Sequence, residues 1–158
     1  MFLSLLSKEV KRNFKRRMVS LKKFNLKAKT LIMHKLILPS IEEVIQLNKS
    51  LGSQVVNKGI LELILDKIKN KLKSKNLKKD LAYCASILWY DIITLHPFLN
   101  GNKRTATEVV KLFLKANGFA LKMPYNGRVY ISLKIANNDI TRKELERLIY
   151  KNLEEINL

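Results

Sequence analysis

The stretch from Leu77 to Leu114 constrains the fold of this 158-residue chain more than any other. Leu77, Leu81, Cys84, Leu88, Ile92 and Leu95 recur at the spacing of one helical face, which predicts a helix over 77–95. Tyr83 and Trp89 widen that face, so this helix is expected to be central and covered on several sides. Pro97 ends it, because proline disfavours helical geometry at the preceding residue. After a short loop, Ala106, Val109, Val110, Phe113 and Leu114 mark a second buried helix. It closes at Asn117-Gly118, where glycine accepts the left-handed dihedrals of a helix end. The loop 96–104 is thereby held from both sides.

The remaining elements also read as helices. Ser40 and Glu43 form a capping box that opens a helix running to Ser50 and stopping at Gly52. A second helix spans 57–72, with Leu61, Ile64, Leu65 and Ile68 inward, and the basic stretch Lys71 to Lys79 reads as a loop or flap. Residues 126–136 predict a short helix. Thr141 and Glu144 make another capping box, opening a last helix over 141–155 with Leu145, Leu148, Ile149 and Leu153 inward. Glycine and proline number only five and three, which argues against a turn-rich all-β chain. The expected class is all-α, with about six or seven helices around the central helix–loop–helix.

The N-terminal part stands apart. Leu3, Leu6, Val10, Phe14, Met18 and Leu21 form one stripe over 2–24, and Lys11, Arg12, Lys15, Arg16 and Arg17 fill the other face. Such a basic amphipathic helix suits docking on the core or a partner chain, an anionic lipid surface, or nucleic acid. Residues 25–37 read as a connector, in which His34 is expected to be solvated. The division is a basic extension over 1–36 and a domain over 37–158. Lys8 interrupts the opening apolar run, making it a poor signal peptide, and no apolar run approaches the ~20 residues of a membrane span. A single cysteine, Cys84, excludes an intramolecular disulfide and multi-cysteine metal sites. It sits among apolar residues as a core thiol. A cytoplasmic location is expected.

The formal net charge of +18 draws anionic partners, or is spread over solvated helix faces. No run of Lys and Arg interleaves with aromatics as a base-stacking surface would.

The chemistry concentrates in His96-Pro97-Phe98-Leu99-Asn100-Gly101-Asn102-Lys103-Arg104. Gly101 allows a tight turn and a close approach to the backbone. Asn102 stands where an N-cap is expected, before a helix whose first amides are free to meet an anion. Lys103 and Arg104 then occupy the first turn, where cations oppose the helix dipole at roughly 0.3–1 kcal/mol each. A bound polyphosphate resolves that conflict, with Arg104 as a bidentate fork and Lys103 as a point charge. His96, at the end of the preceding helix, is of the residue type that takes up a proton near neutrality and is placed to deprotonate an incoming hydroxyl. Phe98 is expected to anchor the loop in the core. A plain helix connection accounts for any two of these residues, but less well for the whole set.

The run His96 to Ala106 resembles the Fic/Doc family motif, its death-on-curing (Doc) toxin branch in particular. Fic enzymes carry H-P-F-x-[D/E]-G-N-G-R-x-x-R, whereas Doc toxins carry H-x-F-x-[D/N]-[A/G]-N-K-R. The likeness extends to Ser40–Ile45, to Asn57–Glu62, to the helix 77–95 and to Phe113–Gly118, and covers about 37–158. It implies an all-helical Fic fold and transfer from ATP, with Mg²⁺, to a hydroxyl of a target protein. His96 would be the general base; Asn102, Lys103 and Arg104, with the Gly101 amide, would hold phosphates; position 100 would orient the metal. Lys103 stands where AMP-transferases have glycine, and Thr107 where they have a second arginine. The Doc branch moves the γ-phosphoryl group, so a protein kinase activity is implied ahead of AMP transfer. Asn100 replaces the usual acidic residue and offers Mg²⁺ a neutral oxygen. The Doc target is elongation factor Tu, and an antitoxin with a disordered segment is the implied partner, suited by the positive charge if that segment is acidic. The inhibitory pattern [S/T]-x-x-x-E-[G/N] is absent from the sequence. A catalytically degenerate chain that binds nucleic acid or a membrane surface through residues 8–29 is the competing reading.

Overall fold

Ser40 starts the first helix by the reciprocal exchange expected of a capping box. Its hydroxyl accepts from the Glu43 N–H at 3.2 Å, and the Glu43 carboxylate accepts from the Ser40 N–H at 2.7 Å. In this computed structural model the described residues are 36–54, 57–70 and 76–157, with Lys8, Arg12, Asn13 and Arg16. The apolar stripe expected over 2–24, the connector and His34 otherwise lie outside them. The four described N-terminal residues are helical and exposed.

Among the described residues six helices follow one another. They are α1 (Ile41–Ser50), α2 (Lys58–Lys69), α3 (Leu77–Leu95), α4 (Asn102–Ala116), α5 (Tyr125–Ala136) and α6 (Arg142–Asn152). The fold is all-α, apart from one small antiparallel pair of strands, β1 (Phe119–Leu121) and β2 (Leu153–Glu155). The central helix is α3, which packs against α2, α4, α5 and α6. Residues from Leu81 to Ile93 are almost all buried, including Cys84, Leu88, Trp89 and Ile92. The Trp89 indole N–H donates to the Ser132 hydroxyl at 2.9 Å, so its one polar atom is satisfied in the core. Apolar residues of α1, α2, α4 and α6 close the same core.

α3 begins at Leu77 as its apolar spacing predicts, so the basic stretch read as a loop or flap over 71–79 gives way to helix there; the Asn76 side chain accepts from the Lys79 N–H at 3.0 Å. Three details depart from the sequence reading. The helix expected over 57–72 stops at Lys69. Leu95, placed on the buried face, is 42% exposed beside the loop. The last helix, expected to reach 155, ends at Asn152, and Leu153 is buried from a strand instead. Here tertiary pairing overrides helical propensity: Leu153 stands opposite Leu121 and Glu155 opposite Phe119, while the Lys122 and Ile156 N–H groups donate to Asn152 and Gly118. Three-residue strands carry too little alternation to be read from sequence.

Candidate phosphate-binding site

The α3–α4 loop is built by backbone accounting. His96 closes α3 in the left-handed region, with φ 49° and ψ 60°. That conformation costs a residue with a Cβ about 1–2 kcal/mol, so the surroundings must hold it. Phe98, 2% exposed, sinks into the core as expected. Its N–H donates to Asn102 Oδ1 at 3.1 Å, and its carbonyl accepts from Asn102 Nδ2 at 3.0 Å. The loop is thus tied into a ring by one buried amide side chain.

The outer side of the loop is held by the segment between α1 and α2. The Asn57 N–H donates to the Pro97 carbonyl and the Leu99 N–H to the Gln54 carbonyl, both at 3.1 Å. Ser53 Oγ accepts from the Asn100 N–H at 3.2 Å and donates to the Asn100 carbonyl at 2.9 Å. Asn48, fully buried on α1, donates through Nδ2 to the same carbonyl at 3.3 Å and to Thr105 Oγ1 at 2.9 Å. Its Oδ1 is buried without a partner, a desolvation cost of about 1–3 kcal/mol. The amide is kept for its nitrogen.

These bonds decide which groups remain open. Among the described residues the Gly101, Asn102, Lys103 and Arg104 N–H groups meet no acceptor, whereas the Gly101 carbonyl takes the Thr105 N–H at 2.8 Å. Four donors at a helix N-terminus therefore stand free, the usual makings of an anion site. Gly101 has φ +70°, a conformation that side chains rarely adopt, and it, rather than Asn102, holds the N-cap position. Asn102 is the first residue of α4, and its side chain faces back into the loop. Any phosphate contact of Asn102 in this arrangement runs through its backbone N–H.

Lys103 and Arg104 are exposed in a first turn that contains no acidic residue. Neither has an ion-pair partner among the described residues, so nothing among them relieves the conflict with the helix dipole. Thr107 turns its hydroxyl back to the Arg104 carbonyl at 2.9 Å and adds no charge.

The His96 ring is exposed, and its Nδ1 lies 3.2 Å from the Thr94 carbonyl. A carbonyl only accepts, so as a hydrogen bond this contact uses a proton on Nδ1, and in the neutral ring of that tautomer the Nε2 lone pair faces outward as a base. Leu95 and Leu99, the latter 63% exposed, flank this ring in sequence with apolar surface. Asn100 is exposed as well. No three His, Cys, Asp or Glu side chains converge for a metal among the described residues. One neutral amide oxygen suits a Mg²⁺ ion already held by nucleotide phosphates better than a resident ion.

Sequence reasoning singled out His96, Phe98, Asn100, Gly101, Asn102, Lys103 and Arg104, and all seven lie in or at this loop. It missed Asn48 and Ser53. A signal existed for Asn48, since Ile41, Val44, Ile45 and position 48 share one helical stripe, and asparagine is out of place there. Ser53 carried none.

The fold and the loop define an all-helical protein with an exposed imidazole and an open helix N-terminus on one connection. Residues 34–114 match the Fic/DOC family, and the chain belongs to that family. Its members are generally transferases of AMP or phosphoryl groups. No curated protein matches the chain. Among the described residues no helix is long and apolar enough to cross a membrane.

Proposed function

We propose that this protein transfers the γ-phosphoryl group of ATP to a hydroxyl of a target protein, as a Doc-like toxin. The observation that carries this reading is the set of four free amides with Lys103 and Arg104 at the start of α4. The bulk and charge of Lys103, where AMP-transferases of the resembled pattern have glycine, favour phosphoryl transfer over AMP transfer. The target's hydroxyl oxygen attacks the γ-phosphorus, the bond to the β–γ bridging oxygen breaks, and ADP departs. His96 Nε2 takes the hydroxyl proton, while the amides of residues 101–104 and the two cations balance the phosphate charge. Asn100 Oδ1, the loop amide oxygen that takes no backbone N–H among the described residues while Asn102 Oδ1 takes that of Phe98, would meet a Mg²⁺ ion bound with ATP, which would supply further charge neutralisation. A translation factor such as elongation factor Tu is the proposed target, and an acidic antitoxin segment the proposed silencing partner.

The test is label transfer to candidate translation factors. Label from γ-labelled ATP, with a mass gain of about 80 Da on the target and loss of both in His96→Ala, is expected. Label arriving only from the α position, with about 329 Da, establishes AMP transfer instead.

The exposed, helical Lys8, Arg12 and Arg16 favour a second reading, binding of nucleic acid or an anionic membrane surface through residues 8–29. That reading requires salt-sensitive binding that survives His96→Ala and disappears when the N-terminal segment is removed. Equal binding by the shortened chain rejects it.

A further inference from the structure

We propose that Asn48 and Ser53 are positioning residues that hold the Asn100–Gly101 peptide with its N–H turned toward the bound phosphate. This deepens the phosphate-site reading and rests on it. Two donors converge on one atom: Ser53 Oγ at 2.9 Å and Asn48 Nδ2 at 3.3 Å both reach the Asn100 carbonyl oxygen. The Asn100–Gly101 peptide is trans, so the Gly101 N–H points opposite to that carbonyl, away from α1 and Ser53. It joins the free N–H groups of Asn102, Lys103 and Arg104.

A clamp is needed because the peptide precedes a glycine. Glycine populates positive and negative φ with similar ease, so a flip of the 100–101 peptide meets little local resistance. The flipped form would aim the Asn100 carbonyl at the anion and withdraw the Gly101 donor, turning attraction into repulsion. Ser53 opposes the flip through both backbone groups of Asn100, accepting from its N–H and donating to its carbonyl. Asn48 opposes it from the buried side, and its second bond, to Thr105 Oγ1, fastens the clamp to the first turn of α4. Space does not oppose a side chain at 101, since a Cβ would lie 3.6 Å from Asn48 Nδ2, but the φ of +70° would strain it.

The experiment follows the Gly101 amide itself. The chain has five glycines, so ¹⁵N-glycine labelling leaves few amide signals, and the Gly101 signal is assigned by its loss in Gly101→Ala. The labelled protein is titrated with inorganic pyrophosphate. In the unaltered protein and in Ser53→Thr, which keeps the hydroxyl, the Gly101 signal is expected to move on saturation. In Ser53→Ala and in the isosteric Asn48→Asp, affinity is expected to fall about tenfold, the loss of one charge-assisted hydrogen bond, and the Gly101 shift at saturation to disappear. Ser53 lies outside the core, so Ser53→Ala decides the matter even where Asn48→Asp fails to fold. A Gly101 shift of unchanged size in saturated Ser53→Ala overturns the clamp and leaves the phosphate site standing. Failure of the unaltered protein to bind pyrophosphate, or undiminished binding by Lys103→Ala, overturns both.

Discussion

His96 is held in a backbone conformation that stability alone would not select. Its φ of 49° is strained for any residue with a Cβ, and among the described residues the ring's hydrogen-bond contact is with the Thr94 carbonyl. His96→Gly is therefore expected to raise stability by up to about 1 kcal/mol, or a few degrees in Tm, while abolishing transfer. Thermal unfolding of that variant beside His96→Ala checks the point; a fall in Tm contradicts the strain. Asn102 shows the opposite balance. Its amide satisfies both backbone groups of Phe98, so Asn102→Ala orphans a buried donor and acceptor and is expected to cost about 2–3 kcal/mol. A denaturant midpoint close to that of the unaltered protein would show that another group takes over those bonds.

At the scale of elements, local capping chemistry explains where α1, α3 and α6 begin. Ser40→Ala and Thr141→Ala each remove a capping box and are expected to cost about 1 kcal/mol in urea unfolding. The Thr141 N–H and hydroxyl hold the Glu144 carboxyl below its ordinary range. Its stabilising contribution is thus present above the ordinary carboxylate range and lost as pH falls through the lowered value. Glu144→Gln should flatten that part of the acid-unfolding curve. The start of α4 breaks the same rules: two exposed cations replace the expected acids. Lys103→Glu is expected to stabilise the helix by about 0.3–1 kcal/mol while weakening ATP binding. Caps, proline and apolar spacing made α1, α3, α4 and both capping boxes legible in the sequence, because each is decided within a few residues. The strands at Phe119 and Leu153, and the exposure of Leu95, depend on partners distant in sequence. The roles of Asn48 and Ser53 do too, while the Asn102 side chain turns back to Phe98 only four residues earlier, so spacing showed the loop's residues but not the bonds that shape it.

In the whole molecule, α3 is the frame on which the loop is stretched, and its burial is tight enough to silence a thiol. Burial, aided by the Asp80 charge, pushes the Cys84 thiol up to about 12. Because the folded value lies above the unfolded one, the associated stability is intact below the ordinary thiol range and lost as pH rises toward the raised value. Native Cys84 should resist a thiol reagent near neutral pH and react only at the rate of unfolding. The central claim concerns the other end of α3, where four unpaired amides and two unopposed cations await a polyanion on a strongly basic chain. Calorimetric titration with ATP and Mg²⁺ tests it most directly, comparing the unaltered protein with Lys103→Glu and Arg104→Glu. Saturable one-to-one binding, weakened at least about tenfold in either variant, is the predicted result. Binding of equal strength in all three would contradict it.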